Sequence, residues 1–83
     1  MAKVEMYSMY MCPFCIRAKA LLEGKGVDVV DIPATGSEKR AEMNKRSGRN
    51  TFPQVFINGK HVGGSDELAA LERSGKLDQL LAA

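Results

Sequence analysis

Cys12-Pro13-Phe14-Cys15 holds the only two cysteines of the chain and joins a strand-like run to a helix-like one. Proline has a fixed φ and no N–H, which suits the first position of a helix, so the chain is expected to turn from strand to helix at this point. Before it, Val4-Glu5-Met6-Tyr7-Ser8 alternates and is rich in β-formers. After it, Arg17 to Gly24 carries a helical pattern in which Cys15, Ala18 and Leu22 share one face, with Leu21 at its edge. The placement gives one sulfur an activated, exposed position and puts the other within reach to resolve it.

The rest of the chain alternates in the same way. Gly24 and Gly26 stop the first helix, and Val27-Asp28-Val29-Val30-Asp31-Ile32 reads as a second strand. Beyond the Pro33-Ala34-Thr35-Gly36 loop, Ser37 is an N-cap candidate for a helix from Glu38 to about Ser47, closed by Gly48. That helix has a poor apolar stripe, with Ala41 and Met43 nearly its only apolar positions. Gln54-Val55-Phe56-Ile57 and Lys60-His61-Val62 flank Asn58-Gly59, a dipeptide that tolerates the positive φ angles of a two-residue type I′ turn. Gly63-Gly64 ends the hairpin, Ser65 is placed to cap, and Asp66 and Glu67 suit the first turn of a helix that buries Leu68 and Leu71. A last short helix carries Leu77, Leu80 and Leu81. The order β-α-β-α-β-β-α, with a terminal helical turn, predicts an α/β fold: a four-stranded mixed sheet flanked by helices, in a thioredoxin-like arrangement.

Composition narrows the chemistry. Residues 1–83 make one small domain, close to the size below which a single core needs staples. No segment approaches the ~20 consecutive apolar residues of a membrane helix. The start, Met1-Ala2-Lys3-Val4-Glu5, lacks the order of a signal peptide, so the expected location is cytoplasmic. In a reducing compartment a cysteine pair this close is a poor structural staple, which leaves catalysis or metal binding. Twelve basic and ten acidic residues give a net charge of +2. The densest basic cluster, Lys39, Arg40, Lys45, Arg46 and Arg49, is interrupted by Glu38 and Glu42 and has no interleaved aromatic residues, which argues against nucleic acid as a partner.

A thiolate is the attacking species in disulfide exchange. With Cys12 at the N-cap and Pro13 at the first helical position, the sulfur faces unpaired backbone N–H groups and the positive end of the helix dipole, which favour the anion. Cys15, one turn further on the core-facing side, stays protonated and shielded until a mixed disulfide forms. Cys12 is therefore the nucleophile and Cys15 the resolving thiol. Zinc usually takes four ligands, and two thiolates with the single His61 fall short of a closed site within one chain, so no metal site is assigned. A site shared between subunits, or an iron-sulfur cluster completed by outside thiols, stays open.

Four segments in register resemble the dithiol glutaredoxins over essentially the full length: Cys12-Pro13-Phe14-Cys15, Thr51-Phe52-Pro53, Asn58-Gly59 and Gly63-Gly64-Ser65-Asp66. The resemblance implies a glutathione-dependent thiol-disulfide oxidoreductase that reduces protein disulfides and glutathione mixed disulfides, with glutathione as reductant and no tightly bound cofactor. It implies a cis bond before Pro53, Phe52 N–H and C=O pairing with the cysteinyl part of glutathione, and Gly64, Ser65 and Asp66 meeting its γ-glutamyl end. Arg40 falls near the family position that meets the glycyl carboxylate, and Pro13, Phe14 and Thr51 support the site. The expected partners are glutathione and disulfide-bonded or glutathionylated proteins, and the expected state is a monomer. Rival readings are an iron-sulfur or metal carrier using the same cysteines, and a glutaredoxin-like hydrogen donor recharged by a reductase.

The chain departs from the family at Ser8-Met9-Tyr10-Met11, where relatives commonly carry a lysine near the thiolate. Without that cation, Cys12 depends more on helix N–H donors. Met9, Met11, Phe14 and Ile16 are candidates for an apolar rim that docks protein disulfides, although Met11 also fits an inward-packed position. Tyr7 and Tyr10 carry no assignable role, and His61 reads as an ordinary exposed strand residue.

Overall fold

The computed structural model describes residues 2–82. The chain runs β1 (Val4–Ser8), α1 (Pro13–Gly24), β2 (Val29–Pro33), α2 (Ser37–Ser47), β3 (Gln54–Ile57), β4 (Lys60–Gly63), α3 (Ser65–Ser74) and α4 (Lys76–Ala82). The sheet order is β2-β1-β3-β4, with β1 parallel to β2 and antiparallel to β3, and β3 antiparallel to β4. This is the mixed four-stranded, thioredoxin-like sheet expected from the element order. The second strand begins at Val29, two residues later than its apolar run. The Asn58-Gly59 turn has φ of 53° and 81°, the left-handed pair that a type I′ hairpin demands.

Strand alternation divides the core into two layers. Val4, Met6, Val55 and Ile57 face one side, where they meet Cys15, Ala18 and Leu22 of α1, Leu68 of α3, and Leu77 and Leu81 of α4. Tyr7 and Phe56 face the other side and meet Ala34 of the loop after β2 and Met43 of α2. The cysteine helix therefore shares its layer with α3, and that pairing brings two helix N-termini to one edge of the sheet.

The weak apolar stripe of α2 has a specific substitute. The Arg46 guanidinium lies over Phe56, 4.0 Å from the ring centroid. Its guanidinium donates to Tyr7 Oη at 3.0 Å and to Glu5 Oε1 at 3.3 Å, and the Tyr7 hydroxyl donates to Glu42 Oε2 at 2.5 Å. Tyr7, without a role on sequence grounds, is a fully buried anchor for this helix. Met43 is the single buried side chain of α2, so the helix is held by one apolar plug and a polar clamp around an aromatic pair.

The serines expected at two N-caps are displaced by one residue. Gly36 and Gly64 occupy those caps, and Ser37 and Ser65 are the first helical residues. At α3 the reason is visible: Glu67 Oε1 reaches back to accept from the Gly64 N–H at 2.7 Å, so the carboxylate from the first turn does the capping.

Candidate functional site

The pairing registers fix where the site forms. Tyr7 lies opposite Gln54, and Val55 lies opposite Gly63, so the end of β1, the start of β3 and the end of β4 share one edge of the sheet. The cysteine motif follows β1, Thr51-Phe52-Pro53 precedes β3, and Gly64-Ser65-Asp66 follows β4. All three segments converge there, although they lie far apart in sequence.

Cys12 is the N-cap of α1, with extended backbone (φ −90°, ψ 112°) and Pro13 beginning the helix. Its carbonyl accepts from Ile16 N–H at 3.0 Å, and its Sγ accepts from Cys15 N–H at 3.4 Å. That donor is one of the N–H groups a helix start leaves without an intrahelical acceptor. Burial pushes the Cys15 thiol up to about 12, the contact with Cys12 and its charge push the same way, and a backbone bond from Met9 opposes them. Cys15 is thus held as the protonated partner.

Exposure of Cys12 is corrected by the structure. Only 5% of the residue is accessible, because Sγ turns back toward the Cys15 amide and joins the core layer beneath α1. The exposed surface around it belongs to its neighbours: Met11 is 77% exposed, Phe14 53% and Met9 42%. Met11 points outward from a left-handed backbone (φ 55°), so its inward-packed alternative is excluded. Ile16 is exposed too, and it lines a cavity of about 310 Å³ beside Cys15 together with Met9, Met11, Lys19 and Asp31. Lys19 and Asp31 pair across its wall at 3.6 Å.

A cavity of about 300 Å³ opens between the loop before β3 and the start of α3. Phe14, Thr51, Phe52, Pro53, Gly64, Ser65 and Asp66, each singled out from sequence, line it together. The Phe52-Pro53 peptide is cis. Arg40 is absent from the lining and lies instead over the Phe52 ring, 5.7 Å from its centroid, at the outer side of that wall. Two lining residues escaped the sequence reading: Arg49 and Glu67, joined at 2.7 Å. The Gly64 N–H and the Arg49 guanidinium together hold the Glu67 carboxyl below the usual carboxylate range. The acidic first turn of α3 was the signal for Glu67, whereas Arg49 was one of several arginines on a basic segment.

Gly63 makes room for the Glu67 cap at the start of α3. Its φ is +126°, and a Cβ there would lie 2.5 Å from Glu67 Oε1 and 2.9 Å from Glu67 Cβ. Gly63→Ala is expected to cost about 1–3 kcal/mol of stability, through backbone strain and loss of the Glu67 cap. Urea unfolding checks this, and a midpoint equal to wild type would contradict it.

The glutaredoxin family model matches residues 4–62. Glutaredoxin 3 of Escherichia coli K12 is 55% identical over 82 residues, covering 98% of this chain and 99% of its own length. The chain belongs to the glutaredoxin family. As a glutaredoxin it is a glutathione-dependent thiol oxidoreductase. Its fold matches the solution structure of glutaredoxin from Brucella melitensis with a TM-score of 0.86 and 57% identity, covering 98% of this chain and 89% of that one. It also matches the crystal structure of a buckwheat glutaredoxin–glutathione complex with a TM-score of 0.87 and 32% identity, covering 98% and 77% of the two chains. Among the described residues of this glutaredoxin, no helix is long and apolar enough to cross a membrane.

Proposed function

We propose that this glutaredoxin reduces glutathione mixed disulfides and protein disulfides with Cys12 as nucleophile and Cys15 as resolving thiol, and that glutathione occupies the cavity between Thr51–Pro53 and Gly64–Asp66. The observation that carries the reading is the convergence of that cavity with the α1 N-terminus, where Cys12 Sγ accepts an amide N–H. A buckwheat relative of the same fold is known as a glutathione complex, which supports the choice of ligand.

On a glutathionylated protein, the Cys12 thiolate attacks the glutathione sulfur. The protein–glutathione S–S bond breaks, and the protein thiolate leaves and takes a proton from solvent. A second glutathione, as thiolate, then attacks the glutathione sulfur on Cys12, which releases oxidised glutathione and restores the Cys12 thiolate. On a protein disulfide, Cys12 forms a mixed disulfide with one substrate sulfur and the other leaves as a thiol. Cys15 then loses its proton and attacks Cys12 Sγ, releasing the reduced substrate and closing the Cys12–Cys15 disulfide, which two glutathiones reopen. The high Cys15 value suits this order. Once Cys12 is in a mixed disulfide its sulfur carries no charge, which removes the charge contribution that burial had reinforced.

In this reading Phe52 presents its backbone to the cysteinyl part of glutathione, and Pro53 forms the adjoining wall. Gly64 and Ser65 lie at the α3 N-terminus, where amide groups and dipole favour a carboxylate, and Asp66 offers its own carboxylate to the γ-glutamyl ammonium. Arg40, over the Phe52 ring, is assigned the glycyl carboxylate in this reading. Thr51, Pro13 and Phe14 shape the cavity and its approach. We further assign the working unit as a monomeric single domain acting in the cytoplasm. Glutathione-dependent reduction of a small mixed disulfide tests the proposal: saturable turnover supports it, and no glutathione-dependent turnover overturns it.

The uncharged loop before Cys12 gives a further expectation. Met9 brings no charge to the site, and Lys19 is already paired with Asp31. Met9→Lys is therefore expected to speed alkylation of Cys12 by iodoacetamide at neutral pH by about two- to fivefold, the scale of ~0.5–1 kcal/mol from a partly solvated charge, with the gain shrinking in high salt. An unchanged rate would show that the amide donors alone set the reactivity.

A further inference from the structure

The cavity wall that carries Thr51, Phe52 and Pro53 is tied to β4 by side chains that line no part of the cavity. Gln54 is fully buried at the start of β3 and donates from Nε2 to the Thr51 carbonyl at 3.0 Å and to Thr51 Oγ1 at 3.0 Å. Its Oε1 lies 2.7 Å from His61 Nε2. The bonds fix their own polarity. A backbone carbonyl only accepts, so Gln54 must turn its NH2 toward Thr51. Its amide oxygen then faces His61 and also only accepts, which places the imidazole proton on Nε2. The ring is oriented by packing on Phe56, 5.1 Å between centroids, and Phe56 is itself held by Arg46 and Tyr7.

We propose that His61 and Gln54 form a hydrogen-bonded relay that holds the Thr51–Pro53 wall in its binding geometry, which makes His61 a positioning residue for glutathione although it lines no part of the cavity. The inference rests on the reading of that cavity as the glutathione site. Without the His61 donor, the buried Gln54 oxygen has no partner, and the amide relaxes at the expense of its two bonds to Thr51. Binding must then order the wall as well as fill it. The sulfurs at the α1 N-terminus are untouched, so the loss falls on KM and spares kcat.

His61→Phe keeps a ring against Phe56 and removes the N–H, whereas His61→Gln restores an amide donor. With a glutathione mixed disulfide as substrate, His61→Phe is expected to raise KM about fivefold while kcat stays within about twofold, and His61→Gln to return most of the KM. In the wild-type protein, long-range ¹H–¹⁵N correlation at a pH above the His61 titration, which burial lowers, is expected to show the proton on Nε2. The inference is overturned by an unmoved KM, by an equal loss in kcat, by failure of His61→Gln to recover KM, or by a proton on Nδ1. Wild-type protein without saturable turnover would overturn the glutathione reading itself, whereas a normal wild-type KM with an unmoved variant overturns the relay alone.

Discussion

Cys12→Ser is expected to abolish glutathione-dependent turnover on every substrate, with a loss of about a thousandfold or more. A serine hydroxyl at the α1 N-cap can accept the Cys15 amide as the sulfur does, so the fold and the cap are kept. It cannot form the S–S bond on which each exchange step depends. Cys15 offers no rescue, because its burial on the core side of α1, the largest cause of its raised pKa, is kept in the variant and holds it as a thiol at neutral pH. Rates with a mixed disulfide and with a protein disulfide check the expectation, and the thermal midpoint confirms that the variant is folded. Turnover above a tenth of wild type in folded protein would remove Cys12 from the nucleophile role.

Cys15→Ser is expected to separate the two reactions. Release of a protein disulfide substrate needs a second sulfur one helical turn away, whereas deglutathionylation needs only Cys12 and two glutathiones. The variant should therefore keep deglutathionylation within about twofold of wild type and lose protein-disulfide reduction nearly to background. A mixed disulfide between Cys12 and the protein substrate should accumulate and be visible by non-reducing electrophoresis. Equal loss of both activities would show that Cys15 acts before the branch, as part of the activation of Cys12 rather than as a resolving thiol.

Local chemistry made much of this legible from the chain. Asn58-Gly59 announces its hairpin because the positive φ angles are a property of those two residues, and Pro13 announces the start of α1 for a similar reason. Most of the cavity lining could be named in advance through the resemblance to glutaredoxins, which Cys12-Pro13-Phe14-Cys15, Thr51-Phe52-Pro53 and Gly63-Gly64-Ser65-Asp66 carry, whereas Arg49 and Glu67 match none of the family's motifs that carried it. What stayed hidden depends on contacts between distant residues. Arg46 counts as polar in any periodicity, yet it spreads its guanidinium over Phe56 and secures α2. Gln54 sits among apolar strand residues and gains its meaning only from Thr51 and His61. His61 read as an ordinary strand position because its partner lies across the hairpin. The burial of Cys12 is likewise a tertiary outcome, set by α1 folding onto β1 and β3.

Burial of Cys12 also sharpens how the enzyme must work. Cys12 itself lines no part of the cavity, but Phe14 of the same motif does, so under the proposed reading the ligand held there must present its disulfide to a residue that is only 5% exposed. Met9, Met11 and Ile16 line a separate cavity, the one that Cys15 also lines.

The most direct measurement is an NMR structure of the Cys15→Ser protein carrying glutathione on Cys12. The account predicts a single adduct at Cys12, with intermolecular contacts from glutathione to Phe52 and to the Gly64–Asp66 segment. An adduct that leaves those residues unperturbed, and that contacts Met9, Ile16 and Lys19 instead, would contradict it.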